Sequence, residues 1–69
     1  MIKPIIRKGN NIRMGARLFS IHNIWWLGNT ASDYEIIEII NGREVGPIVK
    51  KEAKKINDLV EAKKITIEK

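Results

Sequence analysis

A chain of 69 residues with 43% hydrophobic side chains has material for one small core, which excludes a multidomain enzyme. The absence of cysteine removes a disulfide framework, and a single histidine makes a structural zinc site poorly supplied with ligands. The net charge of +5 points to an anionic partner, and no apolar run reaches the roughly 18 residues that cross a bilayer, so a cytoplasmic protein with no membrane partner is expected.

Taken in chain order, Ile2, Ile5 and Ile6 predict a short strand over Met1 to Ile6, with Pro4 confining it to an edge because it lacks an N–H. Lys8-Gly9-Asn10-Asn11 reads as a turn. Ala16 to Leu27 admits two readings. As a strand it sets Phe19, Ile21, Trp25 and Leu27 against Leu18, His22, Ile24 and Trp26. As a helix it gathers Leu18, Ile21 and Trp25 and stops at Gly28. The strand is preferred. Gly28 to Asp33 is expected to be a polar loop.

Tyr34 to Ile40 predicts a strand, Asn41-Gly42 a two-residue type I′ turn, and Arg43 to Val45 the start of the returning strand. Both faces of Tyr34 to Ile40 are apolar, which places it centrally in a sheet or at an oligomer interface. Gly46-Pro47 reads as the opening of a helix reaching about Ala62, with Val49, Ala53, Ile56, Leu59 and Val60 on its apolar side. Lys64 to Glu68 alternates and predicts a last strand. The expected fold is a single small α+β domain over residues 1–69. It has a mostly antiparallel sheet of about four or five strands and one amphipathic helix near the C-terminus.

Chemistry-bearing residues are few. His22 with Ser20, Ser32 and Asp33 has no nucleophile-elbow spacing, and Glu35 with Glu38 reads as a solvated strand edge, so a non-catalytic protein without a cofactor is expected. Gly9, Gly15 and Gly28 form no phosphate-loop pattern. The lysine pairs Lys50-Lys51 and Lys54-Lys55 read as a solvated helix face.

The charge map is more informative. No acidic residue precedes Asp33, whereas Lys3, Arg7, Lys8, Arg13 and Arg17 do; from Ala31 onward eight basic and eight acidic residues cancel. Both tryptophans also fall in the basic half. A base can stack on an exposed indole while guanidinium groups meet phosphate. The expected function is a non-catalytic module that binds a phosphate-bearing ligand, nucleic acid or nucleotide, through Arg7, Lys8, Arg13, Arg17, Trp25 and Trp26. The arginines are expected to converge near one of the indoles. The alternative is a small protein-interaction module, such as a viral or mobile-element inhibitor or accessory subunit, using an apolar strand face. A homo-oligomer is expected, because one helix cannot cover both faces of Tyr34 to Ile40.

Overall fold

The computed structural model describes residues 6–68. Five strands form one antiparallel sheet in the order β4-β3-β2-β1-β5. Their ranges are β1 Asn11–Met14, β2 Arg17–Leu27, β3 Thr30–Ile40, β4 Arg43–Glu52 and β5 Ile65–Glu68, with the helix α1 at Ala53–Glu61 between β4 and β5. The small α+β domain read from the sequence is the fold observed. Of the expected first strand over Met1 to Ile6, only Ile6 is described; it sits at a bend and is fully buried.

Tight turns make the meander. Gly28-Asn29 joins β2 to β3, with Leu27 paired to Thr30 and positive φ only at Gly28, the pattern of a type II′ turn. Asn41 and Gly42 both take positive φ, 54° and 77°, as a type I′ turn requires. The loop expected over Gly28 to Asp33 is therefore two residues long. Thr30 to Asp33 instead extends β3, because the β-branched and small side chains there complete the ladder with Trp25, Trp26 and Leu27. Ala16 to Leu27 resolves as strand from Arg17.

The helix expected from Pro47 begins six residues later, at Ala53. Residues 43–52 pair with β3, and the ladder jumps from Glu38↔Val45 to Ile36↔Val49, so Ile37 alone faces Gly46, Pro47 and Ile48. This bulge absorbs a proline that cannot donate to a ladder, at the sheet edge where that loss is tolerated. Long-range pairing of Val45 and Val49 with β3 overrides the local helical spacing, which holds only from Ala53 onward.

Ile12, Phe19, Ile21, Tyr34, Ile36 and Ile65 are buried together with Ala53 and Ile56 of the helix. The helix ends in a hydrogen-bonded cap: Lys64 N–H donates to Leu59 O, Lys63 N–H donates to Val60 O, and Lys63 takes φ 62°. Tyr34 and Asn57 tie helix to sheet through a 2.9 Å hydrogen bond. The opposite sheet face keeps Leu18, Ile37 and Ile39 half-buried, with no helix over them.

Candidate functional site

The N-terminal segment runs beside β2 before β1 begins. Ile21 N–H donates to Asn10 O at 2.8 Å, and Gly9 N–H donates to Ile21 O at 3.1 Å. Residues 7–10 close a turn in which Asn10 N–H donates to Arg7 O, while the Asn10 carboxamide oxygen accepts from Arg7 N–H at 2.9 Å. Gly9 sits at its third position with φ 92°, a value that glycine adopts without strain. The turn thus holds Arg7 and Lys8 next to the far half of β2. There they line a cleft of about 170 Å³ together with Ile6, Asn23, Ile24 and Trp26.

An extra residue in β2 between Ile21 and Asn23 displaces the ladder, so Ile24 rather than Asn23 pairs with Tyr34. Ile24 packs against the core, and Trp26, two residues on, continues the same strand side at 50% exposure. Among the described residues no carboxylate forms an ion pair with Arg7 or Lys8. Two cations outside any ion pair among the described residues and a half-exposed indole therefore share one concave surface.

Trp25 belongs to a different cluster. Its indole N–H donates to Glu35 Oε2 at 2.9 Å, and Lys50 Nζ lies 4.5 Å from its ring centre. Register explains the grouping, since Glu35 pairs with Asn23 on one side and with Lys50 on the other. The cation–π contact and the charged hydrogen bond hold the ring in place across three strands.

Arg13 and Arg17 lie at the other end of the sheet. Arg13 Nε donates to Glu68 Oε2 at 2.7 Å, and Arg17 donates twice to Glu38, from Nε at 3.0 Å and from Nη2 at 2.9 Å. Each carboxylate raises the pKa of its arginine, mainly through the hydrogen bond, and Arg17 in turn lowers that of Glu38. Trp25 lies eight positions beyond Arg17 along β2, roughly 27 Å at the rise of a strand. The structure therefore brings together Arg7, Lys8 and Trp26, sets Trp25 apart with Glu35 and Lys50, and does not bring Arg13 or Arg17 to either indole. The expected convergence of the three arginines does not occur, because the acidic second half of the chain folds antiparallel onto the basic first half and engages two of them.

Sequence reasoning missed Asn10, Asn23, Glu35 and Lys50. Only the Asn-rich turn Gly9-Asn10-Asn11 carried a local signal; the other three acquire their places from register across strands. Among the described residues no group of three or more His, Cys, Asp or Glu is placed to hold a metal ion, and no helix is long and apolar enough to cross a membrane. Compared with known proteins, the chain matches no family model, no curated protein and no solved structure.

Proposed function

We propose that this protein is a non-catalytic binding module for a phosphate-bearing ligand, a nucleotide or a single-stranded nucleic acid, taken up where the Arg7–Asn10 turn meets the end of β2. The observation that carries this reading is the sharing of one cleft by Arg7, Lys8 and the half-exposed Trp26, with neither cation in an ion pair among the described residues. The guanidinium offers a planar fork to phosphate oxygens, the ammonium adds a point charge, and the indole face offers a base a stacking surface. Arg13 and Arg17 do not line this cleft; they pair with Glu68 and Glu38 at the other end of the sheet.

A fluorescence titration tests it, using mononucleotides, short single strands and duplexes of matched length. Quenching should be retained in Trp25→Phe and lost in Trp26→Phe, and binding should weaken as salt rises, more steeply for the polynucleotide. Absence of salt-sensitive binding across the whole panel overturns the reading. The second reading, a protein-interaction module, is supported by the uncovered apolar side chains Leu18, Ile37 and Ile39 opposite the helix.

A further inference from the structure

The nine-residue helix leaves part of its own side of the sheet uncovered. Between α1 and strands β1 to β4 lies a second cleft, of about 410 Å³, remote in composition from the one containing Trp26. The buried Phe19, Ile36 and Ile56 are among its lining, joined by the partly buried Met14 and Leu59 and by Val49 at 40% exposure. An apolar hollow of this size open to water is a cost to a domain with so small a core.

The remaining lining residues are Arg17, Lys51 and Lys55, all cationic, and no carboxylate lines the cleft. They differ in what they already hold. Arg17 is bound to Glu38 and its guanidinium lies 5.0 Å from the Phe19 ring centre, while Lys55 is 3.7 Å from Glu52. Lys51 forms no ion pair among the described residues. Register fixes its place, because Lys51 pairs with the buried Tyr34 and so projects on the helix side of β4, as does Val49 opposite Ile36.

We infer that this cleft binds a small amphiphilic anion, an aliphatic chain ending in a carboxylate or comparable group. The chain lies against Phe19, Ile36 and Leu59, and the head group meets Lys51. Charge complementarity selects this occupant: an apolar body alone leaves Lys51 without a counter-charge among the described residues, whereas a phosphate without an apolar body leaves the hollow empty.

The probe is dodecanoate, titrated below its micelle concentration into the ¹⁵N-labelled full chain, with dodecyltrimethylammonium as the cation of matching tail. Saturable shifts should centre on Phe19, Ile36, Val49 and Leu59, and the cationic amphiphile should bind at least about tenfold more weakly. Lys51→Glu and Val49→Glu alter exposed positions and should each weaken dodecanoate binding by about tenfold or more with the denaturation midpoint retained. Arg7→Ala with Lys8→Ala should leave it unchanged, which separates this cleft from the phosphate site. Equal affinity for both amphiphiles, unaltered binding by both glutamate variants, or a response to an acidic amphipathic peptide but none to dodecanoate would each overturn the inference.

Discussion

The hydroxyl of Tyr34, on a fully buried side chain of β3, donates to Asn57 Oδ1 on the helix at 2.9 Å. It is a polar link between helix and sheet beside the apolar packing of Ala53 and Ile56. Replacing Tyr34 by Phe should cost about 0.5–1.5 kcal/mol in urea unfolding, the usual net worth of such a bond.

Burial pushes the Tyr34 phenol above its ordinary value of 10.0. A raised folded-state value means that the neutral form is favoured in the native protein. Its contribution to stability is complete below the ordinary phenol pKa and is lost as pH rises through the folded one. Unfolding midpoints measured from pH 8 to 12 should fall in the wild type and fall less steeply in Tyr34→Phe.

Lys63 takes φ 62° at the position after the helix cap, where glycine is the usual residue. Its carbon side chain is strained there. Lys63→Gly should stabilise the protein by roughly 0.5–1 kcal/mol in denaturant unfolding, provided the Lys64-to-Leu59 bond is kept. A loss of stability would show that the lysine side chain has a compensating contact.

Ile56, 4% exposed, is the deepest large side chain of the helix. Truncation to Ala should cost about 2–5 kcal/mol. Thermal or urea unfolding reads this directly, and a change below 1 kcal/mol would mean that the helix does not seal the core.

Self-association through the uncovered sheet face follows from Leu18, Ile37 and Ile39, which lie side by side on β2 and β3. Light scattering should give a mass of twice 7.9 kDa, and Ile39→Glu should return the monomer. A wild-type monomer at millimolar concentration would leave that face solvated and remove the case for an interface there.

Much of the fold is legible in the residue string. Asn41-Gly42 announces its turn, the strand over Tyr34 to Ile40 announces itself by β-branched density, and Ile56 with its neighbours marks the helix face. What misled was local punctuation. Gly46-Pro47 serves equally well as a helix start or an edge bulge, and only the partner strand decides between them. Of the proposed site, the turn that carries Arg7 and Lys8 is spelled out by Gly9-Asn10, whereas the place of Trp26 beside them follows from the pairing of that turn with Ile21 of β2. Arg13 and Arg17 are lost to it for a reason that no linear count reveals: their acids, Glu68 and Glu38, stand 55 and 21 residues away.

The pairing of Ile12 with Ile67 and of Met14 with Ile65 joins the first strand of the sheet to its last. Four strands are linked by two-residue turns and can zip in sequence, but this ladder closes only after everything between has been ordered, and the entropy of that long loop is lost before any contact repays it. β5 is therefore expected to dock late, as a latch on a preformed meander. Substitutions at Ile65 or Ile67 should then speed unfolding while hardly slowing folding, and those at Ile21 or Ile36 should slow folding itself.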